Sequence, residues 1–221
     1  MCLHRNFLLV VAFLLMVSCT VEPYESGDSS LSYLKAEMVD MRVMGKGVQS
    51  IVSDEDEQLR VSSEFQLPQK MERNDTIYRM MLYYNKVGEA PIEIKSMRLA
   101  HVVNPAKKDK ALTLADDPLK LISVWKAKNS TYLNLSLGLM TGNAEDEDAI
   151  QKIAVVADST ITAADGSKTH YLTLHHDQDE IPEYYTQTAY VSIPMKEYAK
   201  GDKISIRMNT YSGWIEKIFA K

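Results

Sequence analysis

Cys19 is the residue of this 221-residue chain whose chemistry is best defined by its neighbours. Phe7 to Val17 is an unbroken apolar run, FLLVVAFLLMV, and it ends in Met16-Val17-Ser18-Cys19. As a helix the run would span roughly 16 Å at ~1.5 Å per residue, too short for a ~30 Å hydrocarbon core and suited to a signal-peptide core. A small residue before a cysteine, directly after such a run, is the pattern at which a bacterial signal peptidase cuts. The cysteine thiol is then alkylated with a diacylglycerol. Residues 1–18 therefore read as a lipoprotein signal peptide, Cys19 as the lipidation site and 19–30 as a lipidated Pro-, Gly- and Ser-containing tether. The other cysteine, Cys2, leaves with the signal, so the mature chain has neither free thiol nor disulfide. Thiol nucleophiles, cysteine-zinc and iron–sulfur sites are excluded.

Other chemistry-bearing clusters are weaker. His175-His176-Asp177, followed by Asp179, Glu180 and Glu183, combines metal-ligand types. In a strand, however, His175 and His176 point to opposite faces, and the run reads as a strand end entering a polar loop. Asp54–Glu57 and Glu145–Asp148 lack the glycine and terminal glutamate of a calcium loop and read as solvated turns. Asp75-Thr76-Ile77 and Asp158-Ser159-Thr160, both placed beside turns, make Thr76 and Ser159 candidate O-glycosylation acceptors. No phosphate loop, nucleophile elbow or dinucleotide fingerprint occurs. No catalytic residue, cofactor or metal is expected.

The elements that carry these residues read as strands. Tyr33 to Met44 is apolar at Leu34, Ala36 and Met38 and then shifts phase to Val39, Met41 and Val43, as a bulged strand would. Val48–Val52, the alternating Leu59, Val61, Ser63 and Phe65, then Ile77–Tyr84 and Ile92–Val103 complete a first set, with a turn at Asn74-Asp75. Residues 105–117 change composition, with lysines, aspartates and flanking prolines, and read as a linker between domains 31–104 and 118–221. The second set begins with Leu119–Trp125, apolar on both faces like a central strand. Leu133, Leu135, Leu137 and Leu139 alternate with Tyr132, Asn134 and Ser136, which predicts leucines inside and polar residues outside. Ile153–Val156 and three further strands around Leu172, Val191 and Ile206 follow, with Asp165-Gly166 as a hairpin turn and Ile215–Phe219 as a last short strand. The chain is expected to be all-β, its second half a sandwich.

These features resemble the NigD-like lipoproteins of Bacteroidales: the cysteine motif at Cys19, a five-strand first segment, Asp117-Pro118-Leu119 leading to ISVWKAKNSTYLNLSL, and later YLTLHHD and KISIRM. The resemblance implies an OB-like five-stranded barrel at 31–104 and an immunoglobulin-like β-sandwich at 118–221. OB sheets bind single strands through stacked aromatics, and Phe65, Tyr78, Tyr83 and Tyr84 stand on the relevant strands. The net charge of −5 gives no reason to expect nucleic acid, and packing is the favoured role for these rings.

The expected function is a membrane-anchored envelope lipoprotein. It would be non-enzymatic, held on the outer membrane through Cys19 on either face, and bind a protein or glycan partner. The family resemblance offers an immunity-type lipoprotein as one alternative. An envelope hydrolase using an unrecognised carboxylate or histidine is the other.

Overall fold

The computed structural model describes residues 34–62, 64–108, 114–143 and 149–221. Cys19, the signal run, the tether and the acidic stretch 145–148 lie outside them.

Among the described residues thirteen strands form two sheets, as the all-β reading expects. They are β1 Leu34–Gly45, β2 Gly47–Ser53, β3 Gln58–Leu59, β4 Arg73–Asn85, β5 Glu93–Val102, β6 Ala106–Lys107 and β7 Lys120–Lys126. Then come β8 Tyr132–Thr141, β9 Lys152–Thr162, β10 Lys168–Asp177, β11 Tyr185–Pro194, β12 Lys203–Thr210 and β13 Gly213–Ala220. The eight-stranded sheet has the order β3-β2-β1-β4-β5-β11-β8-β7 and the five-stranded sheet β13-β12-β10-β9-β6. The first five strands are thus part of an open sheet, not a closed barrel. One isolated parallel bridge, Val61 to Ile92, joins the end of β3 to the start of β5. The sheet also runs across the 105–117 segment, because β5 pairs in parallel with β11 at Tyr190, Val191 and Ser192.

Two larger cores follow from strand alternation. Val39, Met41, Ile51, Met80, Leu82 and Tyr84 form a core on one face of β1–β5. Leu133, Leu135, Leu137, Leu172, Leu174, Val191, Ile193, Ile204 and Ile206 fill the space between the sheets. A smaller cluster, Met38, Met81 and Tyr190, joins the reverse face of β1 and β4 to β11, with Trp125 against it. It accounts for the phase shift in β1. Pairing of β1 with β4 runs without interruption from Leu34–Asn85 to Val43–Thr76, so there is no bulge at Met38-Val39. Met38 serves one apolar environment and Val39 the other.

Other boundaries differ from the sequence reading for local reasons. Asn74-Asp75 is not a turn. It lies within β4 opposite a register shift, with Asp75 at φ 47°, the left-handed region aspartate tolerates better than most residues. The alternation from Leu59 to Phe65 produces only the two-residue β3, after which the chain leaves the ladder. β7 is an edge strand rather than a central one, and its second apolar face is partly open: Ile122 is 49% exposed. The Asp165-Gly166 turn forms as expected, with Gly166 at φ 84° and Ala163 N–H donating to Ser167 O at 2.8 Å.

Candidate functional site

The residues singled out from sequence are scattered. Thr76 is half-buried in β4, and its hydroxyl donates to Asn74 O at 3.4 Å. Ser159 is exposed on β9. Both stand in strands, not in turns. His175 and His176 do face opposite sides of β10. His175 Nδ1 pairs with Asp116 Oδ1 at 2.7 Å, whereas His176 is buried with Nδ1 3.3 Å from Asp117 O. Asp177 lies 3.7 Å from Lys152 Nζ. Among the described residues, no three His, Cys, Asp or Glu side chains converge as a metal site would require. The aromatics of the first segment are packed. Tyr84 is fully buried, Tyr78 and Phe65 pack on the same core, and the Tyr83 and Tyr190 hydroxyls bond at 2.8 Å.

The run Asp54–Glu57 forms the β2–β3 hairpin tip that its composition suggests, with Glu55 and Asp56 exposed, but its first residue is not solvated. Asp54 is buried at a polar junction between the two halves of the chain. Arg79, on the face of β4 opposite its core residues, organises it. Its Nη2 donates to Asp54 Oδ2 at 2.8 Å and to Asn134 Oδ1 at 3.0 Å, its Nε to Ser192 Oγ at 3.1 Å and its Nη1 to Asp40 Oδ1 at 3.3 Å. Asn134 Nδ2 donates to Asp54 Oδ2 at 2.7 Å, and Ser192 Oγ to Asn134 Oδ1 at 2.8 Å. The Tyr132 ring lies 4.1 Å from the guanidinium carbon. Burial pushes the Asp54 carboxyl above its ordinary range despite the attraction of Arg79. The turn after β7 docks on the same hairpin, Asn129 N–H donating to Asp54 O at 3.0 Å and Asn129 Nδ2 to Asp56 Oδ1 at 3.0 Å.

Asn134 and Ser136 therefore do not face outward. Asn134 is fully buried and Ser136 nearly so, while Leu133, Leu135 and Leu137 face the sandwich interior as expected. Strand β8 is covered on both sides: the leucines meet the five-stranded sheet, and Asn134 meets Arg79. A polar residue alternating with leucines reads as a solvent face unless its buried partner, here 55 positions away, is known.

A groove of about 770 Å³ opens at the end of the sandwich domain's two sheets. It lies between β7 and the β12–β13 hairpin and is lined by Leu121, Ile122, Val124, Tyr211 and Ile215, with Lys120 and Lys217 at its margins. β7 ends one sheet and β13 ends the other. Leu119 bridges Thr210 and closes one end: its N–H donates to Asn209 O at 3.2 Å, and its carbonyl accepts from Tyr211 N–H at 3.3 Å. The pairing of β7 with β8 skips Ile122, a bulge that turns this side chain outward. Neither the bulge nor the placement of β7 at an edge has a signature in LISVWK itself.

An all-β protein with a two-layer sandwich and an open groove between sheet edges is the class these features define. The family model for the NigD-like C-terminal beta sandwich domain matches residues 100–220, and the chain belongs to the NigD-like family. Solved structures share the fold. A NigD-like immunity protein from Bacteroides caccae is 24% identical with a TM-score of 0.65, covering 84% of this chain and 96% of that one. A protein from Bacteroides fragilis assigned as a lipoprotein is 12% identical with a TM-score of 0.58, covering 84% and 96%. Comparison with curated proteins gives no match.

Proposed function

We propose that this chain is an envelope lipoprotein, lipidated at Cys19 and held on the outer membrane, that works without catalysis by binding an envelope protein or glycan. In this reading residues 31–104 form an OB-like unit and 118–221 an immunoglobulin-like sandwich, and the partner takes the groove between β7 and β13. The observation that carries it is the groove itself. Exposed Ile122 and Tyr211, each about half accessible, stand over an apolar floor between two strand edges, an arrangement that suits partner docking more than solvent. The test is retention of an envelope component by the lipidated protein and by Ile122→Asp. Loss of retention by the variant at unchanged melting temperature supports the reading. Equal retention by both proteins, or none by either, overturns it.

An immunity-type role is the second reading, favoured by likeness to the Bacteroides caccae protein described as NigD-like immunity protein. Deletion of the gene should then make its own cell sensitive to a toxin of a neighbouring producer strain. A deletion strain as resistant as its parent would remove this reading and leave the first intact.

A further inference from the structure

The outer face of the five-stranded sheet has a feature that an ordinary solvated face does not need. Thr173 on β10 and Ser205 on β12 point to this face, yet are 0% and 1% exposed. They are covered by charged side chains laid across them. Asp158 is the extra residue of a bulge in β9: Ser159 pairs with Tyr171 and Ala157 with Leu172, so Asp158 is turned toward Thr173. The Thr173 hydroxyl donates to Asp158 Oδ2 and accepts from Arg207 Nε at 2.7 Å. Lys108 Nζ holds Asp158 Oδ1 at 3.1 Å, and the Ser205 hydroxyl donates to Glu216 Oε1. Hydrogen bonds from Thr173 and Lys108 bring the Asp158 carboxyl below its ordinary range, against the opposing effect of burial. Long side chains are thereby fixed in advance of any ligand.

The hollow these groups surround is about 370 Å³, within the range of small-molecule sites, and Tyr171 and Ser159 also line it. Among the described residues, both Nη groups of Arg207 and one oxygen of Glu216 have no protein hydrogen-bond partner, so a donor fork and an acceptor stand side by side. Trp214, two residues before Glu216 on the same face of β13, is 51% exposed; the Arg207 guanidinium carbon lies over one face of its ring, 5.2 Å from the centroid, so a stacked ligand would take the opposite face. Lys108 and Arg207 balance Asp158 and Glu216. An anion would meet two carboxylates and a cation two positive groups. A pyranose ring meets neither penalty. Its hydroxyls both donate and accept, matching the paired guanidinium and carboxylate, and its C–H face can lie on an indole.

We infer that this face is a binding site for neutral oligosaccharides, with Trp214 as the stacking platform and Arg207 and Glu216 as the hydroxyl-reading pair. The inference rests on the reading of the chain as a binding protein, but not on the groove. Along β13 the residues Trp214 and Glu216 pair with Asn209 and Arg207 on this face, while Ile215 and Lys217 line the groove.

The experiment uses the full-length lipidated protein in detergent, in a Ser159→Ala background so that no chain-borne glycan fills the hollow. Neutral and uronate-containing oligosaccharides are titrated while the two indole N–H signals, Trp125 and Trp214, are followed by NMR. Neutral sugars should shift Trp214 saturably and leave Trp125 in place, with little dependence on salt. Trp214→Ala and Glu216→Gln should each weaken binding roughly tenfold or more, the loss of about one stacking or charge-assisted contact. Arg207→Lys should weaken it as well, since an ammonium lacks the planar fork. Ile122→Asp should leave saccharide affinity unchanged, which separates failure of this site from failure of the groove. No Trp214 shift with any sugar, a response to uronates alone, or abolition by Ile122→Asp would each overturn the assignment.

Discussion

The Arg79 guanidinium and the Asp54 carboxylate meet at 2.8 Å in a largely buried junction, and Asn134 bonds to both. Arg79 comes from β4 and Asp54 from the turn after β2, so the ion pair lies within the first strand set, and its hydrogen bonds to Asn134 of β8 and Ser192 of β11 fasten that set to the second. Removing one partner of a buried pair leaves an uncompensated charge, which typically costs ~3–5 kcal/mol. Arg79→Met and Asp54→Asn should each destabilise on that scale in urea unfolding. The double variant should cost less than the sum of the two by about 1–3 kcal/mol, since groups in one network couple. Additive losses would mean that the pair acts through separate neighbours.

The pH dependence of stability should have two opposed acidic contributions. Asp54 has a raised folded pKa, so the folded state binds its proton more tightly, and stability from this group declines as pH rises from the ordinary value through the folded one. Asp202 has a lowered one, held down first by the hydrogen bond from His170 and then by the Lys168 and Ala199 N–H groups. Its contribution is complete above the unfolded pKa of about 3.9 and is lost as pH falls through the folded value. Asp202→Asn should therefore be destabilised at neutral pH, and its deficit should shrink as the pH is taken below about 4. A constant deficit from pH 7 to pH 2 would show that Asp202 acts only through neutral hydrogen bonds.

Period-two patterns made the strands of the sandwich legible, because Leu133, Leu135, Leu137 and Leu139 can face only one way and four leucines on a solvent face would make an exposed apolar patch. The same pattern misled where a strand is covered on both sides. Met38 beside Val39 looked like a bulge, and Asn134 among leucines looked like solvent face, because alternation reports polarity and not what lies opposite. The Arg79 junction, the outward turn of Ile122 and the Asp158 bulge depend on partners in other strands. Local sequence carries no record of them. Cys19 was legible for the opposite reason: its chemistry is read from the residues directly before it.

Strand β8 offers a paired test of that lesson. Leu135→Ala should cost ~2–5 kcal/mol through a cavity in the sandwich core. Asn134→Ala should cost ~1–3 kcal/mol by leaving the buried Ser192 hydroxyl without its acceptor and Asp54 Oδ2 with one donor fewer. A neutral Asn134→Ala would place the Asp54–Arg79 junction in contact with water.

Thr76 and Ser159 differ in accessibility, and modification should follow it. Protein purified from its native envelope should be heavier than lipid at Cys19 explains. The excess mass should fall with Ser159→Ala more than with Thr76→Ala, because Ser159 is exposed and Thr76 is half-buried. An intact mass accounted for by lipid alone would remove both acceptors.

Membrane attachment should depend on Cys19 alone. Loss of the signal removes Arg5, so the mature body is more acidic than the full chain at −5 and gains no attraction from anionic lipid. Each buried methylene of an acyl chain contributes ~0.8 kcal/mol, so two or more chains hold firmly where one is marginal. Cys19→Ala should then move the protein from the membrane pellet to the soluble fraction in detergent-free buffer. Its unfolding midpoint should be unchanged, since the described body begins at Leu34. A Cys19→Ala protein that still sediments with membranes would assign attachment to the folded body, and the groove between β7 and β13 would be the first surface to test.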